Sequence, residues 1–269
     1  DTLALSIVKA GGASLDLTNI PRDDMPWFGT ITEALSTRCG LDSSVQLIPL
    51  MPRTNSTIGG IPTNHHAQVI RSDWKTILHG LFAAGDAACS GLHGAAINSG
   101  DQLLGALSIG KIAGESAAQY ATKANHSASS EISVAVSTAH HAHDTMLSSS
   151  EDDSVQASAV RSSLANTMRT HMGAERDASG LALAASSIAK LQELPLMISD
   201  PNPVMNTELV DTIRTKNLLK VSAAAVSAAI SREETRGNHI RTDFPETNDK
   251  PSHSLSHEDG STTTLSMRS

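Results

Sequence analysis

The apolar positions of this chain form short, broken runs over its first third and fall into helical spacing over much of its second half. Leu3, Leu5 and Ile7 alternate as in a short strand, and Gly11-Gly12 breaks the run. A helix is predicted around Thr30 to Thr37, ending near Gly40. Val45 to Met51 is apolar and holds Pro49 with Pro52 just beyond, which predicts an extended edge element. Leu81-Phe82-Ala83-Ala84 reads as a buried strand that stops at Gly85-Asp86. A helix should follow, capped by Ser99 or Asp101, with Leu103, Leu104, Leu107, Ile109 and Ile112 as its apolar positions up to about Ala121.

Between residues 122 and 154 the period is lost. Ser, Ala and His dominate, with HHAH at His140–His143. Such a composition cannot bury enough apolar surface to offset the entropy of ordering, so a loosely ordered linker is expected there. Helical patterning resumes over Val155 to His171 and Leu181 to Leu194, separated by Asp177-Ala178-Ser179-Gly180 and closed by Pro195, Pro201 and Pro203. A longer helix is predicted from Glu208 to Ile230, with Leu219, Ala223, Val226 and Ile230 on one face. The tail after Pro245 is polar and predicted extended.

Composition changes this picture in one respect. The 269 residues are 39% hydrophobic but only 2% aromatic, with three Phe, two Trp and one Tyr. Aromatic side chains bury the most area per residue, so the chain is expected to need a partner to complete its core. The formal net charge of −8, and the absence of basic stretches interleaved with aromatics, argue against a nucleic-acid binder. No run approaches the roughly 20 apolar residues of a membrane span.

Candidate chemistry outside one region is sparse. Cys39 and Cys89 are too widely spaced for a disulfide framework or a metal site and read as free thiols. His140, His141 and His143, or His65 and His66, lack acidic or cysteine partners at ligand spacing, so no metal is expected. Cys89-Ser90-Gly91 is not a nucleophile elbow. The chain begins at Asp1 with no targeting segment, as a processed or incompletely represented N-terminus would.

The most informative residues are IGGIPTNHHAQVIRSDWKTILHGLFAAGDAACSGLHGAAINSGDQLL, Ile58 to Leu104, and REETRGNHIRTDFP, Arg232 to Pro245. Together they resemble the flavoprotein subunit of succinate dehydrogenase and fumarate reductase, whose pattern runs HYxMGGIPTN, GLYAxGEAACxSVHGANRLGxNSLL and RxESRGAHxRxDFP. The resemblance implies an α+β chain. It would hold a remnant of a capping domain over residues 1–50 and the C-terminal part of a flavin-binding domain, sheet plus helix, over 51–121. A linker over 122–154, a three-helix domain over 155–231 and an irregular C-terminal segment over 232–269 would follow.

The resemblance also implies site residues. Asp86 stands where an acidic residue at a strand end accepts hydrogen bonds from the ribityl hydroxyls of FAD. Gly59, Gly60, His93, Gln102, Leu103 and Leu104 are the other implied flavin contacts. The substrate-gripping Arg of the family's HGANRLG falls on Ile97, and the His and Tyr of HYxMGG fall on Asn55 and Ser56. An isoleucine cannot form the bidentate guanidinium–carboxylate pair. Burying a dicarboxylate dianion without its cations costs several kcal/mol per charge. Asp101, at the Asn before SLL, would add a negative charge at the helix start.

No GxGxxG βαβ unit is present for the adenosine pyrophosphate, and the family's flavin-linking His and proton-delivering Arg lie upstream of Asp1. FAD is therefore expected only with a partner chain, and no catalytic residue is assigned. Arg232, Arg236, His239, Arg241 and Asp243 repeat the late motif and are expected to form an ion-pair network rather than a catalytic group. These readings point to a non-catalytic subunit of respiratory complex II on the matrix face of the mitochondrial inner membrane, serving there as a scaffold. Its partners would be the iron-sulfur subunit and either an intact flavoprotein or its N-terminal half. The alternatives are the C-terminal half of a split succinate dehydrogenase flavoprotein that completes an FAD site with a separate N-terminal chain, and a scaffold that uses the helical domain and His-rich loop to hold neighbouring subunits.

Overall fold

A computed structural model describes residues 2–21, 23–54, 56–98, 100–125, 128–148, 153–257 and 259–266. The chain divides into two compact units, residues 1–55 and 56–269.

In the first unit, α1 (Thr2–Lys9) replaces the predicted strand. Leu3 and Ile7 are also four residues apart, so the run fits a helix as well as an alternation, and its Ala, Leu and Lys favour the helix. β1 (Ala13–Leu15) follows, then α2 (Gly29–Cys39), which ends at Gly40 as predicted. β2 (Ile48–Leu50), inside the expected extended element, pairs antiparallel with β1, Ala13 facing Leu50 and Leu15 facing Ile48. Among the described residues of this unit Leu17 and Ile48 are the buried hydrophobic ones, and Trp27 stands 87% exposed.

The second unit opens with four short strands: β3 (Ile61–Pro62), β4 (Gln68–Ile70), β5 (Ile77–Phe82) and β6 (Ala88–Cys89). β3 runs parallel to β6, while β4 and β5 form an antiparallel hairpin with a bulge. The strand through Leu81 exists but is not buried. Leu81 is exposed, and burial passes instead to Ala67, Val69, Ile70 and Ala83. α3 (Asp101–Ala121) covers β5, where Tyr120 meets Phe82 edge-on. Gly100 holds the N-cap position and Asp101 is already in the first turn, while the other predicted cap, Ser99, lies outside the described residues. In that turn the Asp101 charge complements the helix dipole.

The predicted linker contains a helix, α4 (Ser129–Ser148). The helix is amphipathic in outline, with Ile132, Val136, Ala139 and Met146 on one face, yet none of its residues is buried. Helices held by local bonds alone are marginal in water, and Ser, Thr and His are middling helix formers. In limited digestion with a broad-specificity protease, cleavage within residues 123–154 is expected before cleavage in the helices that follow. Earlier cuts in those helices would contradict this.

α5 (Ala157–His171), α6 (Ala178–Glu193) and α7 (Thr207–Ser231) form the expected three-helix bundle. Asp177 and Asn206 cap α6 and α7, their side chains accepting from the amides of Gly180 and Leu209. The core joins Val160 and Leu164 to Ala184, Ile188, Leu196, Leu219 and Val226. The face of α7 differs from the prediction. Ile230 is 41% exposed, while Thr212, Thr215 and Ser222 are buried on the line that includes Leu219 and Val226. Thr215 is tolerated there because its hydroxyl donates to the Asp211 carbonyl and accepts from Arg161.

The C-terminal segment is irregular only at first. β7 (Ser252–Ser256) and β8 (Thr262–Ser266) form an antiparallel hairpin on α7, and His253 stacks on Trp74. Asp259-Gly260 between two Ser/Thr-rich runs is the turn signal that marks it in the sequence. No helix among the described residues is long and apolar enough to cross a membrane.

Candidate functional site

Gly59-Gly60 lead into β3 and Asp86-Ala87 lead into β6. Because these strands run parallel, the two turns lie side by side. The approach is close: a Cβ on Gly60 would stand 2.6 Å from the Ala87 carbonyl oxygen, and the residue has φ +133°. Only glycine fits both conditions. Asp86 occupies a single 3-10 turn, Gly85–Ala87, with its carboxylate exposed. Gln102, in the first turn of α3, donates from Nε2 to Asp86 Oδ1 at 2.7 Å. One turn further on, Gly105 is buried beneath His93, whose Nε2 would be 3.3 Å from a Cβ at that position.

The structure thus brings Asp86, Gln102 and His93 together beside Gly60. Leu103 and Leu104 lie on the same helical turn as Gln102, both about two-thirds exposed, and Leu92 next to His93 is equally open. An exposed carboxylate, a close-packed glycine backbone and an apolar rim are what the ribityl and ring end of a flavin would require. Gly59 has open space where its Cβ would be. Ile97 is half-buried in the loop after His93, and Asn55 lies outside the described residues. His65 and His66 sit at the exposed tip of the β3–β4 turn, which Asn64 shapes by accepting from the amides of His66 and Gln68. His140, His141 and His143 are exposed on α4, and no group of three or more His, Cys, Asp or Glu among the described residues could hold a metal ion.

The late motif supports this region from the side. Its centre is Glu234, only 1% exposed and not among the residues of this motif that the sequence singles out. Its carboxylate accepts from Arg232 at 2.6 Å, from Arg236 at 3.0 Å and from the Asn248 amide at 3.0 Å. Burial pushes its carboxyl upward, but these donors outweigh it and hold the group below its ordinary value. Arg232 also reaches the Ser252 carbonyl of β7 at 2.7 Å.

Arg241 is equally buried. It donates to the Ala229 carbonyl at the end of α7 and forms a two-pronged pair with Asp243, both contacts 2.8 Å. Asp243 in turn accepts from the Ala178 amide at the start of α6. One Arg–Asp pair therefore joins a helix C-terminus to a helix N-terminus with the charge sign each prefers. His239 lies between Arg176, which contacts Nδ1 at 3.0 Å, and the Arg232 carbonyl, which faces Nε2 at 3.1 Å. The geometry specifies the neutral ring: Nδ1 accepts and Nε2–H donates. Desolvation, reinforced by the neighbouring Arg176, Arg232 and Arg241, pushes its pKa down to about 4.

Comparison with known proteins agrees with this layout. Residues 161–269 match the family model described as fumarate reductase flavoprotein C-term, and residues 22–103 match the FAD binding domain model. The chain is 32% identical to a succinate dehydrogenase flavoprotein subunit of Rickettsia bellii, over 82% of this chain and 37% of that protein. It is 28% identical to a mitochondrial succinate dehydrogenase [ubiquinone] flavoprotein subunit of Oryza sativa subsp. japonica, over 88% of this chain and 38% of the relative. It spans well under half the length of these curated relatives. An Escherichia coli quinol fumarate reductase structure superposes with a TM-score of 0.82 and 25% identity, over 95% of this chain and 44% of that one.

Proposed function

Because the chain belongs to the succinate dehydrogenase and fumarate reductase flavoprotein family, with its likeness in the C-terminal portion, we propose that it is a non-catalytic, structural component of a complex II assembly. One observation carries this reading. The loop that would present the substrate arginine is folded and anchored, yet it bears Ile97 at that position. Isoleucine supplies neither charge nor directed hydrogen bonds to a carboxylate. The ion-pair network around Glu234 and Arg241 and the bundle core keep the scaffold role intact. Expected partners are the iron-sulfur subunit and a flavoprotein chain, with membrane attachment through other subunits. The open apolar rim at Leu92, Leu103, Leu104 and Leu107 suits burial against such a partner. The rice relative named as mitochondrial supports a mitochondrial location; the matrix face of the inner membrane is part of this proposal, and protease protection in mitoplasts tests it.

A second reading rests on Asp86, Gln102 and Gly60. These residues fit the ribityl and ring end of FAD, while the βαβ unit for the adenosine pyrophosphate lies in no part of these 269 residues. In this reading the chain completes a split flavoprotein, Asp86 accepting from ribityl hydroxyls and Gln102 orienting that carboxylate. Bound FAD would supply the two-electron acceptor.

The purified chain in its native assembly, stripped of any intact flavoprotein subunit, is expected to show no succinate-dependent dye reduction, with or without added FAD. Turnover abolished by malonate would overturn the non-catalytic reading. The identity of the companion chains separates the alternatives: an intact flavoprotein supports the scaffold, and a polypeptide carrying only the GxGxxG unit supports the split enzyme.

A further inference from the structure

The late motif does more than tie helices. Its turn at Gly237-Asn238 rests directly on the loop that carries His93 and Ile97. The Asn238 amide donates to the Ala95 carbonyl oxygen at 3.0 Å. Gly237, at φ +58°, approaches so closely that a Cβ would run into that same carbonyl group and the Ala95 methyl. The loop has little else of its own. Its internal amide bonds, Gly94 to Gly91 and Ala96 to His93, are long at 3.4 and 3.3 Å. Neighbouring residues fix the turn rigidly, since Arg236 and Glu234 pair on one side and His239 is held by Arg176 and the Arg232 carbonyl on the other.

We propose that Gly237 and Asn238 are positioning residues for the cofactor-facing loop, so that the C-terminal motif sets the geometry of His93 and Ile97. The path is short and entirely by contact. Glu234 and His239 fix the turn, the turn holds Ala95, and the loop lays His93 over Gly105, one helical turn from Gln102 and Asp86. The glycine is required because any side chain would displace the Ala95 carbonyl, and the Asn238 amide is required because it is that carbonyl's donor. The functional meaning of the loop as cofactor-facing rests on the flavin-family reading above; the mechanical link does not.

Hydrogen exchange by mass spectrometry on the full chain, in its native assembly, tests the link without reference to activity. In Gly237→Ala, peptides covering residues 91–98 should exchange roughly tenfold faster or more, as expected when a local structure loses its anchoring contact. Peptides from α5 and α6 should keep their wild-type protection. Asn238→Pro, which removes the donor and leaves the glycine, should reproduce the effect, whereas Asn238→Ala keeps the amide and should not. Unchanged exchange of 91–98 in a folded Gly237→Ala chain overturns the proposal. So does loss of protection that is equal in the loop and in the bundle, for then the turn serves the whole fold. Flavin fluorescence measured alongside separates the two ideas: absence of flavin from wild type and variants alike sinks the cofactor reading and leaves the exchange result standing.

Discussion

Replacing Glu234 with alanine is expected to remove about 3–5 kcal/mol of folding stability, the usual cost of breaking a buried charge network by deleting one partner. The reason lies in what remains. Arg232 and Arg236 both point at the Glu234 carboxylate, and without it two largely buried guanidinium groups face each other and an empty space. The Asn248 amide also loses its acceptor, and an unsatisfied buried donor adds its own penalty. Denaturant unfolding followed by far-ultraviolet circular dichroism would measure the change. A midpoint unaltered by the substitution would show that the pairs carry no net stability. Glu234→Gln keeps an acceptor and the shape, so it should cost less than alanine.

Acidification is expected to destabilise the chain through His239 before most carboxylates respond. In the folded chain this imidazole titrates near 4, against an ordinary value of 6.5. The proton is therefore taken up by the unfolded state first. The stability tied to the neutral ring is fully present above pH 6.5 and is lost progressively as pH falls toward 4, where the folded ring begins to charge. The full loss corresponds to on the order of 3 kcal/mol. A charged ring could not accept from Arg176, and it would stand among Arg176, Arg232 and Arg241. Glu234 adds a second decline at lower pH, because its depressed carboxyl contributes above its ordinary value of 4.5 and is lost as pH falls through the lower folded value. Unfolding free energy measured from pH 7.5 to 4 should slope downward, and His239→Gln, which cannot charge, should flatten that slope. Equal slopes in the two proteins would refute the assignment.

Parts of this architecture are legible in the chain because local chemistry decides them. Asp177 and Asn206 precede apolar periodic runs and cap helices that start within a few residues of where the pattern places them. Gly40 ends α2, and Gly60 of the tandem Gly59-Gly60 marks a close backbone approach. The motif Gly-Leu-Phe-Ala-Ala-Gly-Asp places Asp86 in a turn after a strand, where the structure has it. Other features differ from what the local pattern predicts, for physical reasons. Eight residues of α1 are too few to separate a period of two from one of 3.6. The strand around Leu81 looks buried by composition, but with α3 packed near Phe82 its Leu78 and Leu81 still stand exposed. Residues 129–148 carry weak helix formers, and none of them is buried.

The helical segments of the bundle and the residues at the flavin-family motif positions can be read from the chain alone, because periodicity and residue identity act over a few neighbouring residues. The remainder was settled by which groups folding brings together. That Glu234 is a buried hub rather than a surface charge depends on Arg232, Arg236 and Asn248 converging on one carboxylate. That His239 is neutral depends on three arginines brought around it, one of them 63 residues away. That Gly237 must lack a side chain depends on Ala95, far upstream in the chain. Burial and electrostatic environment are sums over neighbours in space, and folding alone chooses those neighbours.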